Sequence, residues 1–525
     1  MSDLIRWFLG FLIATAAPLV LAAEEHRFDI DEFVVEGNTV LPADAIERAV
    51  YPHLGPRRTV ADVEKARAEL EKAYQDNGYL TVSVEIPEQK VDAGEIRLQV
   101  VEGSVEKLRV KGAQFHLPSK IREGAPSLAE GSVPHFPEVQ SELAALGRQS
   151  DRRITPLLRP GKTPGKLEVE LSVDDQLPLH GSVELNNKQS ANTVKGRVES
   201  ALRYDNLFQR GHSIGLNWIV APGNADHANI LSANYGVPLV NGDYASVFVT
   251  DSDSDTPAGL GGSTVVKGTS VGLRYRFALP ARGATYVHGL SVGIDYRDSQ
   301  DDLNQNGLLV PRSLKYAALA ARYDHARPDT GNGVTTSFDA NLSLGIRGLS
   351  DRVVDCDGTP IDQFACKRFN AKPNFMTLRL GLDHRRPLWG NWTLRARADA
   401  QWANGPLVSQ EQFGLGGSDS VRGYLEYEQF GDRGLLLRLE TTSPVFGWIG
   451  DVGLKGIGFV ERGQAWLVDA LPGEEASLAL GSVGLGLRAE SKWLTGRIEW
   501  GLPLWTTSRT KRHVDRLHIA IRMQF

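Results

Sequence analysis

What most constrains this chain is a residue-by-residue alternation of polarity that recurs from His180 to Phe525. Phe338, Ala340, Leu342, Leu344 and Ile346 interleave with Asp339, Asn341, Ser343, Gly345 and Arg347. Met376, Leu378, Leu380 and Leu382 interleave with Thr377, Arg379, Gly381 and Asp383. Single polar or small residues separate Trp392, Leu394, Ala396, Ala398, Ala400 and Trp402, and again Leu517, Ile519, Ile521, Met523 and Phe525. A period of two puts every second side chain on one face of a strand. A soluble sandwich alternates too, with its apolar residues inward. Here the other face carries Arg and Asp in mid-strand many times over, which a lipid-facing exterior around a wet lumen explains. Backbone groups in hydrocarbon must all be paired, so such a sheet has to close on itself.

Connections support a barrel. Gly236–Gly242, Leu279–Gly283, Arg386–Gly390 and Thr442–Pro444 are short turn segments. They alternate with longer polar stretches at Asp251–Ser263, Asp298–Ser313, Ser350–Pro373 and Ala403–Asp432. Short turns on one rim and long loops on the other are the arrangement of outer-membrane barrels. Residues 177–525 shared among about 16 strands leave about 22 residues per strand and loop, enough to cross a bilayer at a tilt. A mean hydropathy of -0.24 argues against a bundle of membrane helices, and no barrel needs a higher value. The net charge of -6 disfavours a nucleic-acid partner recruited by bulk charge.

The first third has a different texture. Met1–Arg6, the apolar run Trp7–Ala17 and the small residues up to Ala23 resemble a secretory signal over residues 1–23. Phe28–Val35 alternates and meets a turn at Gly37-Asn38, and Leu41–Leu54 reads as a short helix. Thr59 to Asp62 is a capping-box signal, followed by an apolar face at Val63, Ala66, Leu70 and Ala73 and a stop at Gly78. Strands are expected at Leu80–Ile86 and Glu95–Val101. The order β-α-α-β-β then recurs: strand Val105–Lys111, helix Pro118–Glu123, a helical face at Phe136, Val139, Leu143 and Leu146, and strands Arg152–Leu158 and Lys166–Val173. This is an internal repeat of about 75 residues, carried by pattern rather than identity. The domains expected are 24–102, 103–176 and a barrel over 177–525.

A leader, two such modules and a 16-strand barrel together resemble the two-partner secretion transporters, the haemolysin secretion/activation proteins, whose small modules are POTRA domains. The best local marker is Val421-Arg422-Gly423-Tyr424, in the long loop after the eleventh expected strand, the sixth external loop. The resemblance implies that this loop folds back into the lumen and that Arg422 meets an acidic residue on a wall strand in an F-x-D-x-G pattern. Phe459, Glu461 and Gly463 occupy that pattern, with Glu in place of Asp. Arginine suits the task because its planar fork pairs bidentately with a carboxylate. Gly423 permits a sharp bend, and Tyr424 is expected to pack while its hydroxyl stays wet.

The resemblance further implies an outer-membrane location in a Gram-negative bacterium, with the POTRA domains in the periplasm. The partner would be a secreted exoprotein of the TpsA type, caught unfolded and threaded through the lumen as a monomeric pore. A sheet edge can take up an extended segment as an extra strand, and Leu80, Val82, Val84 and Ile86 mark the candidate edge. Other partners implied are outer-membrane lipid and the barrel-assembly machinery that inserts the chain. The terminal aromatic Phe525 resembles the insertion signal that such barrels carry. Well-known members place a plug helix ahead of the first module. The first strand here starts by Phe28, which leaves no room for one, so gating is expected to fall to the sixth loop or to differ.

Remaining motifs carry little chemistry. Gly289-Leu-Ser291-Val-Gly293 lies within alternating strand rather than at a strand-turn-helix elbow. Asp251, Asp253 and Asp255 begin like a calcium loop, but the sixth position is Thr256 and the twelfth is Gly262. Cys356 and Cys366, the only cysteines, share one external loop and are expected to form a disulfide outside the cytoplasm. No catalytic set, metal site or cofactor is expected. A barrel-assembly insertase of the BamA type is the main alternative, though that branch usually has more POTRA domains; a passive porin needs none.

Overall fold

The computed structural model describes residues 27–525 apart from 92–93, 148–150, 240–241, 255–257, 261–262, 266, 280–285, 306–307, 328 and 330. The leader read over residues 1–23 lies outside them. The chain divides into two compact units after Gln176.

The first module contains strands β1 (Phe28–Ile30) and β2 (Glu32–Glu36), helix α1 (Ala43–Val50), strand β3 (Gly55–Arg58), helix α2 (Val60–Asp76), and strands β4 (Val82–Glu85) and β5 (Glu95–Glu102). Helix α2 starts at the capping box, where the Thr59 N–H donates to the Asp62 carboxylate at 3.0 Å. It ends before Gly78, whose φ of 88° suits only a residue without Cβ. Its buried stripe is Val63, Ala66, Leu70 and Tyr74. Tyr74 rather than Ala73 completes that stripe, because a residue four after Leu70 returns to the same face. The sheet order is β2-β5-β4, with β2 parallel to β5. The expected strand Phe28–Val35 breaks at Asp31, and β1 pairs with β3. That ribbon escaped the sequence reading because four residues including Pro56 show no period.

The second module contains β6 (Ser104–Lys111), α3 (Pro118–Glu123), α4 (Phe136–Leu146), β7 (Arg152–Pro160) and β8 (Lys166–Asp175). Its sheet order β6-β8-β7, with β6 parallel to β8, repeats the first module's arrangement of first, third and second strand. Each module buries its own apolar cluster, around Leu70 and Leu98 in the first and around Ile121 and Leu171 in the second.

The second unit is a closed antiparallel barrel. Its strands are β9 (Leu179–Asn186), β10 (Arg197–Leu207), β11 (His212–Val220), β12 (Asn229–Pro238), β13 (Tyr244–Asp253), β14 (Gly268–Ala278), β15 (Val287–Gln305) and β16 (Leu308–Arg327). They continue as β17 (Thr335–Gly345), β18 (Met376–Pro387), β19 (Thr393–Ala403), β20 (Arg433–Thr442), β21 (Val452–Trp466), β22 (Ser477–Glu490), β23 (Leu494–Pro503) and β24 (Arg516–Gln524). The short segment Gly447–Ile449 pairs with β21 beyond the end of β20 and prolongs that strand, so the barrel has sixteen. Strand β24 closes onto β9, from Gln524 opposite Ser182 to Ala520 opposite Asn186.

Alternation sorts inside from outside. On β24, Leu517, Ile519, Ile521 and Met523 are exposed at 36–57%, while His518 and Ala520 between them are buried. On β20, Leu435, Leu437 and Leu439 are exposed and Glu440 is buried. No helix among the described residues is long and apolar enough to cross a membrane; the strands do it. One expected loop is strand instead. Residues 298–305 and 308–313 belong to the β15–β16 hairpin. Main-chain ladders continue wherever both strands stay extended, so a polar run in the sequence need not end them.

Candidate functional site: a loop seated in the barrel

The loop from Asn404 to Asp432, between β19 and β20, carries the Val421–Tyr424 segment. Its tip lies against the barrel wall, and each of the four residues has a defined seat. Val421 is fully buried with Leu415 and Tyr424. Arg422 is 4% exposed and donates to Glu461 of β21 through Nε at 2.9 Å and Nη2 at 2.7 Å, while its own N–H reaches the second oxygen of Glu461 at 2.6 Å. Gly423 has φ 92°, and its N–H donates to Nε2 of His518 at 3.0 Å. Tyr424 is wholly buried. Its hydroxyl lies 3.1 Å from the Gly481 carbonyl and 3.0 Å from the Trp505 carbonyl, and accepts the Trp505 N–H at 3.1 Å. The expectation of a wet hydroxyl was wrong: main-chain groups satisfy it, so the ring can be buried entirely.

The wall side of the expected pattern is equally specific. The Phe459 ring lies 3.4 Å from the Arg422 guanidinium carbon, a stacked cation–π contact. Glu461 also accepts from Ser482 at 3.2 Å. Gly463 faces the loop's apolar underside: a Cβ there would lie 2.8 Å from Leu415 and 3.1 Å from Val421. Glutamate in place of aspartate causes no mismatch, because its extra methylene lets both oxygens reach Arg422.

Four participants were not read from the sequence. Glu440 of β20 and Glu499 of β23 approach Nη1 of Arg422 at 3.0 and 3.2 Å. Arg488 of β22 pairs with both, at 2.8 and 3.2 Å. His518 completes the set. All are inward positions on alternating strands, and an acidic or basic residue there is the only signal they leave. Elsewhere along the loop, Asp419 pairs with Lys188 at 3.0 Å, and the Glu428 carboxylate accepts from Thr510 at 3.1 Å. Beside the loop lies a polar cavity of about 990 Å³, lined by Asp419 and Tyr427 of the loop and by wall residues including Arg274, Arg397 and Arg438.

The other candidates fall as follows. Val82 and Val84 lie in β4, an edge of the first sheet, with their side chains buried. Leu80 precedes the strand and is exposed, and Ile86 follows it and packs on the core. The edge is not bare: the Val84 N–H donates to Glu71 at 3.2 Å, and its carbonyl accepts from Arg67 at 3.3 Å, both from α2. In the second module the corresponding edge strand β7 carries Pro156 and Pro160, which have no N–H to offer an incoming strand. Cys356 and Cys366 are disulfide-bonded. Phe525 pairs across the barrel seam with Gly181, its N–H donating to the Gly181 carbonyl at 3.0 Å.

The chain as a whole has counterparts among known proteins. A profile of the haemolysin secretion/activation proteins ShlB/FhaC/HecB matches residues 165–489, and a profile of POTRA domains of the ShlB type matches residues 28–103. The chain belongs to the haemolysin secretion/activation family. It is an outer-membrane transporter of the two-partner secretion type. The outer membrane transporter CdiB of Escherichia coli O6:K15:H31 is 25% identical over 94% of this chain and 82% of that protein. The heme/hemopexin transporter protein HuxB of Haemophilus influenzae is 21% identical over 78% of this chain and 71% of that protein. In fold, the transporter is similar to CdiB from Escherichia coli, with TM-score 0.64 and 20% identity over 97% of this chain and 93% of that one. BamA from Haemophilus ducreyi lacking POTRA domains 1–3 shares the fold at TM-score 0.56 and 12% identity, over 95% of this chain and all of that one.

Proposed function

We propose that the transporter exports one large exoprotein through the lumen and that the sixth loop, seated by Arg422, gates that path. The observation that carries this reading is the buried Arg422–Glu461 pair. A loop crossing a hydrated channel loses conformational entropy, and it keeps one position only if specific bonds offset that loss. Here a guanidinium is held by carboxylates from three wall strands, an arrangement that fixes the tip while leaving every bond exchangeable. An unfolded exoprotein of the TpsA type enters from the periplasm and displaces the loop.

Recruitment falls to the first module. Its β4 edge offers main-chain groups to an extended segment, once Arg67 and Glu71 release Val84. The exported chain, surrounding lipid and the assembly machinery that inserts the barrel through its Phe525 end are the partners in this scheme, and the pore acts as a monomer. Deleting residues 24–175 tests it. The expected product is a conducting pore that exports nothing; continued export from that truncation would refute recruitment by these modules.

A further inference from the structure

The fifth external loop, residues 346–375 between β17 and β18, has a fold of its own. A ribbon of Val353–Cys356 against Thr359–Asp362 leads into the short helix Gln363–Lys367. The Cys356–Cys366 disulfide joins ribbon to helix. Gln363 is buried and bonds the barrel strand β16, accepting the Lys315 N–H at 3.0 Å and donating to the Lys315 carbonyl at 2.8 Å. Phe364 is buried in a cluster with Tyr316 and Phe375, and with Leu407 and Val408 of the sixth loop. The helix therefore has the barrel wall on one side and the loop that carries Arg422 on the other.

Arg368 directly follows this helix. Its guanidinium forks onto Asp432 at 2.6 and 2.8 Å and donates to the carbonyls of Leu407 at 3.0 Å and Val468 at 3.4 Å. Asp432 is fully buried, and it also accepts the N–H groups of Leu407 at 2.9 Å and Val468 at 2.7 Å. Leu407 lies on the leg of the sixth loop before the tip, and Asp432 ends the leg after it. Val468 lies near the start of the next loop. One ion pair thus joins both legs of the sixth loop and binds them to the disulfide-braced fifth loop. None of these residues touches Arg422 or its carboxylates.

We infer that Arg368 is a second, external positioning residue for the gate, acting in parallel with the Arg422–Glu461 seat inside the barrel. The inference rests on the reading of the sixth loop as the gate. Joining a loop's legs shortens the segment left free to move, so its tip has fewer positions to sample. A guanidinium bonds the Asp432 carboxylate and two carbonyls at once through a planar fork, which a lysine ammonium cannot reproduce. The disulfide holds the helix that presents Arg368.

The test is single-channel recording of the full-length protein in planar lipid bilayers. Wild type, Arg368→Ala, Arg368→Lys, Arg422→Ala and the Arg368→Ala/Arg422→Ala double variant are compared, with barrel folding checked by heat-modifiable mobility. Arg368→Ala is expected to raise the open fraction about tenfold, the effect of a 1.4 kcal/mol change. Arg368→Lys is expected to rescue little of that, and the double variant to exceed either single one. Dithiothreitol on wild-type protein should shift opening in the same direction, which covers the case of a variant that fails to fold. If Arg422→Ala opens the pore while neither Arg368→Ala nor reduction does, the external anchor is refuted and the gate reading stands. If Arg422→Ala does not open it either, the gate reading fails and takes the anchor with it.

Discussion

Arg422→Ala is the substitution whose effect follows most directly from the geometry. Two arginines, Arg422 and Arg488, face three carboxylates, Glu440, Glu461 and Glu499, leaving one formal negative charge in a buried cluster. Without Arg422 the same three carboxylates face Arg488 alone, and the excess becomes two. Arg422 also supplies the stacked face against Phe459. Removing one member of a buried ion pair costs about 3–5 kcal/mol. The lower end applies, because Arg488 still neutralises part of the charge and Tyr424 keeps its own bonds. About 3 kcal/mol shifts the seated-to-released ratio of the loop on the order of 100-fold. Glu461 lies in the middle of a long ladder, so the barrel itself is expected to fold and insert. Bilayer recordings should show a large rise in open fraction, and cells should show less exported partner at the surface, because a loop without its seat no longer switches between one closed and one open position as the partner passes. An open fraction within about twofold of wild type would refute the reasoning, since a loop so little shifted was not held by this pair.

Two further outcomes follow from single side chains. Tyr424→Phe removes a hydroxyl that accepts the Trp505 N–H and gives its one proton to the neighbouring Gly481 and Trp505 carbonyls, so the loop should lose about 1–3 kcal/mol of its seating, read as faster protease cleavage within residues 404–432 in a folded barrel; unchanged cleavage would show the hydroxyl to be dispensable. In the second module, burial alone would push the Asp175 carboxyl up, yet the N–H groups of Gln114, Phe115 and His116 and the His116 ring hold it below its ordinary value. A carboxyl lowered in the folded state stabilises above its unfolded pKa of about 4 and loses that contribution as pH falls below it. Hydrogen-exchange protection of this module in the full chain, taken relative to the intrinsic amide rate at each pH, should therefore fall below about pH 4 in wild type and depend less on pH there in Asp175→Asn. An equal pH dependence in both would remove Asp175 from the account.

How much could be read in advance depended on the range of the signal. Helix α2 was legible from Thr59 to Gly78 because cap, stripe and stop are all local. The barrel was legible because alternation on one strand reports directly which face meets lipid. Arg422 and Glu461 came from a motif, and the structure brings them together. Glu440, Glu499, Arg488 and His518 did not, because each lies on a different strand and only the register between neighbouring strands, with the loop folded onto them, brings them to one place. The guard on the β4 edge was invisible for a related reason: Arg67 and Glu71 look like an ordinary exposed pair one helical turn apart until the helix is docked. The β15–β16 hairpin was misread because polar composition was taken for a loop.

The central claim, a secretion pore serving one partner, is tested most directly by comparing the outer-surface proteome of cells with and without this gene. The account predicts that one large surface protein disappears while the other outer-membrane barrels keep their levels. Depletion of many barrels together, with no single large protein lost, would contradict it and would mark the chain as an assembly factor.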